Sequence, residues 1–370
     1  MDESTVIDWR CEDNFSQEEL FQEYLRKADT GDIESQRVVV ALFSKGILVE
    51  KDNEKAMRYI VSMAEKGDSR AMCALGIQYI RGKFVEKDLF KGFELIRKAS
   101  ESNIAYINTY LAICYEFGYG TDKNIQKAIE IYENAHVHGI AIAKYRLGQI
   151  YAIGKGVKQD LLKAFCYVDA AARSGYPPAL EMRSIFYRRG DIVEKNILKS
   201  LEDLDLAMRL GSLPAKFKMA KDFIVGKKLT QDIQRGITIL KDLSEKKYIP
   251  ATFYLAIEYK IGTRVKQDFA EAFNLMKICT EYDYPRAWAE LATMYLTGKG
   301  TNVDLNEAYK CLLKGVSHND SLAYYFKGLM HRDNRLTIFN LEEAKACFRT
   351  SYGMGYKPAL EQIEKLSQMK

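Results

Sequence analysis

The stretch Ala143-Lys-Tyr-Arg-Leu-Gly-Gln-Ile-Tyr-Ala-Ile-Gly-Lys-Gly-Val-Lys-Gln-Asp-Leu-Leu-Lys-Ala164 decides the fold. Ala143, Leu147 and Tyr151 recur every four residues, the spacing of one helix face. Gly154 and Gly156 then interrupt the pattern. Asp160 follows, ahead of a second helical run that opens with Leu161 and carries a small residue at Ala164. A short side-chain oxygen at Asp160 suits the free N–H groups of a starting helix. The stretch therefore reads as helix, glycine loop, cap and helix.

Stepping outward by 36 residues finds the same unit along the chain, and such periodicity marks a repeat architecture. The alanine column reads Ala71, Ile107, Ala143, Ala179, Ala215, Ala251, Ala287, Ala323 and Ala359. The aromatic column runs Phe43, Tyr79, Tyr115, Tyr151, Tyr187, Phe223, Tyr259 and Tyr295, then His331. The capping column is Asp52, Asp88, Asn124, Asp160, Asn196, Asp232, Asp268, Asp304 and Asn340, with no exception to Asp or Asn. Small residues four positions later, from Ala56 and Gly92 to Ala344, allow close helix approach. The second helix of most units ends at a glycine, such as Gly67, Gly139 and Gly175. Asn103, Asp283 and Asn319 take that place in three units and Lys247 in one, where a left-handed residue is expected.

These columns predict an all-α fold of about nine 36-residue helix-loop-helix units: 33–68, 69–104, 105–140, 141–176, 177–212, 213–248, 249–284, 285–320 and 321–356. An acidic leader and capping helix are expected in 1–32, the helix starting at Ser16 with Glu19 as a capping box. A polar capping helix is expected in 357–370.

Composition bounds the function. No run approaches the roughly 18 apolar residues of a membrane span, and the first residues are acidic rather than a secretory signal. The expected protein is cytoplasmic and not membrane-embedded. Seven cysteines without a Cys-x-x-Cys pair fit reduced core residues better than zinc or disulfide chemistry. His136, His138, His318 and His331 form no metal or acid–base motif, and Gly154-Lys-Gly156 recurs as Gly298-Lys-Gly300, which is loop punctuation. The expectation is a non-enzyme with no catalytic residue, metal or cofactor. The net charge of +5 divides into an acidic segment 1–32 and a basic body. That asymmetry makes the leader a candidate competitor for any basic binding face.

The pattern Ala-x-x-x-Leu-Gly-x-x-Tyr-x-x-Gly-x-Gly-Val-x-x-Asp-x-x-Lys-Ala resembles the Sel1-like repeat, a relative of the tetratricopeptide repeat. The resemblance spans about 33–356. Arg183 and Lys327 depart from it at the leucine of the first helix. It implies a right-handed superhelical solenoid with capping helices at both ends. It also implies a protein-interaction scaffold or adaptor whose first helices line a concave groove. On that geometry the groove residues are Ile77 and Arg81, then Tyr106, Ile113 and Phe117, then Tyr145 and Ile153. Arg188 and Arg189 follow, then Phe217 and Lys221, Phe253 and Lys260, and finally Arg286 and Leu296. Apolar and basic side chains dominate, so the expected partner is a protein or peptide with apolar and acidic character. Two alternatives stay open: an RNA-binding helical-repeat protein, and a virulence or host-interaction factor of the Sel1-like type. RNA readers carry a recurring polar base-reading position, which these columns lack, so nucleic acid is not the expected partner.

Overall fold

The computed structural model describes residues 17–226, 230–335 and 339–368. Among them it is all helix and turn, with twenty helices and no strand. By internal packing the chain falls into two compact units, 1–196 and 197–370, which divide between the two helices of the fifth repeat.

In the first unit α1 (Gln17–Asp29) precedes four helix pairs. They are α2 (Ile33–Lys45) with α3 (Asn53–Glu65), α4 (Ser69–Arg81) with α5 (Leu89–Ser100), α6 (Ala105–Phe117) with α7 (Ile125–Val137), and α8 (Ala141–Ile153) with α9 (Leu161–Arg173). The unit closes with α10 (Pro177–Arg189). The second opens with α11 (Ile197–Arg209). Its pairs are α12 (Leu213–Val225) with α13 (Ile233–Glu245), α14 (Ile249–Ile261) with α15 (Phe269–Glu281), α16 (Pro285–Thr297) with α17 (Leu305–Ser317), and α18 (Ser321–Arg332) with α19 (Leu341–Gly353). α20 (Pro358–Gln368) is last. Within each unit every helix packs on the next in sequence. We call the first helix of each repeat A and the second B. Ser16 of the expected capping box lies outside the described residues.

The capping column does what its chemistry suggests. Asp52, Asp88, Asn124, Asp160, Asp232, Asp268, Asp304 and Asn340 each accept from the N–H three residues on, at 2.8–3.0 Å. Each contributes about 1 kcal/mol. The same residues serve a second role that the columns did not reveal. The backbone N–H of the cap donates to the carbonyl of the aromatic column nine residues earlier, from Asp52 to Phe43 at 3.0 Å through Asn340 to His331 at 3.2 Å. One residue thus closes the loop and starts helix B.

The helix-ending column is left-handed throughout, at Gly67, Asn103, Gly139, Gly175, Gly211, Asp283, Asn319 and Gly355, and also at Lys247 with φ 59°. The A-to-B loops hold two bulky left-handed residues, Leu48 and Phe84, where Gly120 and Gly156 stand in later repeats. At Gly120 a Cβ would lie 2.1 Å from the Leu89 carbonyl oxygen, so this loop sits directly on the start of α5.

The core runs between the helix layers. Ala143, Leu147 and Ile150 of α8 are buried with Ala128, Tyr132 and Ala135 of α7. In the second unit one cluster runs from Ala220 to Met330. Each fully buried Leu or Ile contributes about 1.5–3 kcal/mol, so core layers outweigh any single cap. Close approach is built in where Gly76 of α4 meets Gly92 of α5. A Cβ on Gly92 would be 2.8 Å from the Gly76 carbonyl oxygen.

The aromatic column is also a cation platform. Lys55 over Phe43, Lys91 over Tyr79, Lys127 over Tyr115, Lys163 over Tyr151 and Arg235 over Phe223 lie 4.0–5.4 Å from the ring centres. Each cation is three residues after its cap, which ties helix B to helix A. The two departures at the leucine column are replacements of apolar packing by ion pairs. Arg183 meets Asp169 of α9 at 2.7 Å, and Lys327 meets Glu343 of α19 at 2.6 Å.

Candidate functional face

Four consecutive A helices of the first unit end on Arg81, Phe117, Ile153 and Arg189. Gly82, Gly118, Gly154 and Gly190 follow in left-handed conformation and stop each helix at that residue. The four side chains therefore occupy one register position. All four are exposed, Phe117 by 40% and Ile153 by 74%. Arg81 and Arg189 make no ion pair or hydrogen bond among the described residues.

The carboxylate that precedes Phe117 in α6, that of Glu116, is already used. Glu116 is only 4% exposed. Its Oε1 accepts from Lys155 Nζ at 2.9 Å and its Oε2 from the Tyr132 hydroxyl at 2.8 Å. Burial, with the Glu116 charge, pushes the Tyr132 phenol far up, so it stays a donor. Lys155 and Arg146 also lie over the Phe117 ring, at 4.4 and 5.2 Å, and Tyr119 stacks against it at 5.4 Å. Phe117 is thus held in place while its edge remains open.

The other expected groove residues of this unit sit deeper. Ile77, Ile113, Tyr106 and Tyr145 are half-buried. Tyr145 contacts Tyr176 edge-on at 5.5 Å and accepts from Gln149 at 2.8 Å. Arg188 is half-buried and engaged by other groups.

The second unit treats the same columns differently. Lys260 is taken by Glu290 at 2.6 Å and by Thr293 at 3.1 Å. Lys221 lies over Phe217, and Arg286 over Phe253. Phe253 is 8% exposed and also contacts Tyr284. Leu296 is half-buried. Here the cations are spent on internal partners. Sequence columns could not separate the two units, because a lysine facing a neighbouring glutamate looks the same in a column as a free one.

Burial pushes the Cys73, Cys114 and Cys279 thiols up to about 12, and Cys311 and Cys347 up to about 11. They are protonated at neutral pH and poor nucleophiles. Among the described residues no cluster of His, Cys, Asp or Glu could hold a metal ion. No described helix is long and apolar enough to cross a membrane.

Stacked helix pairs that present a varied A-helix face define a tetratricopeptide-like repeat scaffold, a class that generally mediates protein–protein contacts. The Sel1 repeat model matches residues 41–68, 69–104, 108–135, 141–176, 249–278 and 285–320, more than half of the sequence. The chain belongs to the Sel1 repeat family. Among solved structures it is similar to a Sel1 repeat protein from Oxalobacter formigenes, with 25% identity and a TM-score of 0.55. That match covers 84% of this chain and 90% of the other. It is also similar to c5321, a protective antigen of uropathogenic Escherichia coli strains with an SLR fold. There identity is 21% and the TM-score 0.54, over 93% of this chain and 73% of that one. No curated protein matches it in sequence. The unmatched repeats include 177–248, where Arg183 replaces leucine and Lys247 replaces glycine.

Proposed function

We propose that the protein is a non-catalytic adaptor that binds a partner segment along the A helices of residues 69–189. The observation that carries this reading is the row Arg81, Phe117, Ile153 and Arg189. Two open apolar side chains stand between two guanidinium groups that make no ion pair among the described residues. Water alone does not favour such a row. Aromatic and arginine positions are the usual anchors of protein interfaces. The matching segment has apolar anchors with acidic residues at both ends. Buried, unpaired cysteines support a reducing compartment such as the cytoplasm.

The test is affinity capture from the native organism with three forms of the full chain. Arg81→Glu with Arg189→Glu, and separately Phe117→Asp with Ile153→Asp, should lose the same captured protein. Lys98→Glu, exposed on α5, should retain it. A partner kept by both face variants overturns the reading.

A further inference from the structure

Over α3, between α2, α4 and the start of α6, the first unit leaves a cavity of about 130 Å³. Its wall is aliphatic, with Val40, Ile60, Met63 and Ala74 among the lining. Its rim is polar: Arg37, Asp68, Arg70 and Tyr106. The charges at the rim are not all paired. The Asp68 carboxylate is consumed twice, by the Ala71 N–H at 2.8 Å and by Arg37. Arg37 is shared between Asp68 and Glu34. Arg70 is exposed and makes no ion pair or hydrogen bond among the described residues. The rim thus holds one guanidinium, that of Arg70, with no ion-pair partner among the described residues, beside an apolar hole.

Size and charge together select an occupant. An apolar cavity of about 150 Å³ admits a guest the size of benzene. A cavity slightly smaller suits one branched aliphatic side chain. From this we infer that the pocket receives a leucine- or isoleucine-sized side chain of a partner chain, with an adjacent carboxylate paired to Arg70. The carboxylate belongs to a neighbouring Asp or Glu or to a chain terminus, and both present the same charge-assisted acceptor. The site is separate from the row proposed above. Arg70 and Arg81 lie eleven residues apart on α4, roughly 16 Å along its axis at 1.5 Å per residue. A ligand here needs neither Phe117 nor Ile153, so either site can fail without the other.

The experiment is a methyl NMR titration of the full chain with 4-methylpentanoate and with its uncharged amide. The carboxylate should shift the methyl signals of Ile60, Met63 and Ala74 saturably. It should bind about ten-fold more tightly than the amide, the scale of one charge-assisted hydrogen bond. Arg70→Gln should erase that ratio, and its exposure makes it safe for folding. Ala74→Leu, which fills the cavity, should abolish both titrations. Absent shifts at Ile60, Met63 and Ala74, equal affinity for acid and amide, or an unchanged ratio in Arg70→Gln each overturn the inference. Two peptides then locate the carboxylate, one ending in a free leucine and one amidated with an internal Leu-Glu pair. Binding by the first assigns a terminus, binding by the second a side chain, and binding by neither overturns the partner-chain assignment.

Discussion

Glu116 shows how a single acidic residue shapes this surface. As a position in a column it looks like a groove carboxylate that would repel an acidic partner. In the fold it is buried, neutralised by Lys155 and held by Tyr132. Removing Lys155 would strand a charge, and breaking a buried pair costs about 3–5 kcal/mol. Lys155 keeps 27% of its side chain in water, so the loss for Lys155→Met should be nearer 2 kcal/mol after solvent screening. Pairing it with Glu116→Gln should recover most of that loss in urea unfolding. If the double variant is as unstable as the sum of the single ones, the pair is not the source of the cost. Lys247 offers a second residue-scale test. A non-glycine residue in the left-handed region costs about 1 kcal/mol, and glycine loses part of that advantage through backbone entropy. Lys247→Gly should therefore stabilise the protein by roughly 0.5 kcal/mol, read as a higher urea midpoint with unchanged slope. A lower midpoint would show that the Lys247 side chain contributes more than its strain removes.

At the scale of helices, the sequence was most legible where one residue type answers one local need. The cap and helix-end columns depend on backbone N–H groups and on φ, and both act within a few residues. They marked where the B helices start and end; α6, α8, α10, α14 and α16 start without a side-chain cap. Lys327 shows the opposite case. It replaces a core leucine, and its partner Glu343 lies on the next helix, sixteen positions away in sequence. Only packing brings them together. Burial disfavours the Lys327 charge, but the hydrogen bond to Glu343 and the nearby Cys347 raise its pKa overall. Lys327 holds the Glu343 carboxyl below its ordinary value. For the depressed carboxyl, the stabilisation is full above about 4.5 and fades as pH falls through the folded value. For the raised lysine, it is full below about 10.5 and is lost as pH rises through the folded value. Glu343→Gln should cost about 1 kcal/mol at pH 7, a figure discounted because Glu343 is partly exposed. The cost should shrink as pH falls through the depressed Glu343 value. An equal cost at neutral and strongly acid pH would mean the pair acts by shape alone. The caps permit a simpler check. Asp160→Ala and Asp304→Ala should each cost about 1 kcal/mol, and their effects should add because the two caps belong to different compact units.

For the whole molecule, the class of fold was legible in the 36-residue periodicity, and much less of the face that matters was. Composition placed apolar and basic residues along all the A helices. Only the folded neighbours distinguish Lys260, already bound to Glu290, from Arg81 and Arg189, which are bound to nothing described. Net charge points the same way: the body after residue 32 is basic. Charges of this kind raise the encounter rate with an acidic partner more than the final affinity. Screening shortens their reach to about 8 Å at physiological ionic strength. Raising salt from 50 to 500 mM should therefore slow association with the captured partner and leave its dissociation rate nearly unchanged. Neutralising Arg81 and Arg189 to Gln should slow association at low salt and flatten the salt dependence. The apolar pair acts on the other rate constant. Phe117→Ala and Ile153→Ala remove contacts made only after docking, so they should speed dissociation by about ten-fold together and leave the salt slope intact. Surface plasmon resonance across a salt series separates the two sets in one experiment. If the arginine variants change only dissociation, the guanidinium groups are contact residues rather than steering charges, and the division of labour along the row is reversed.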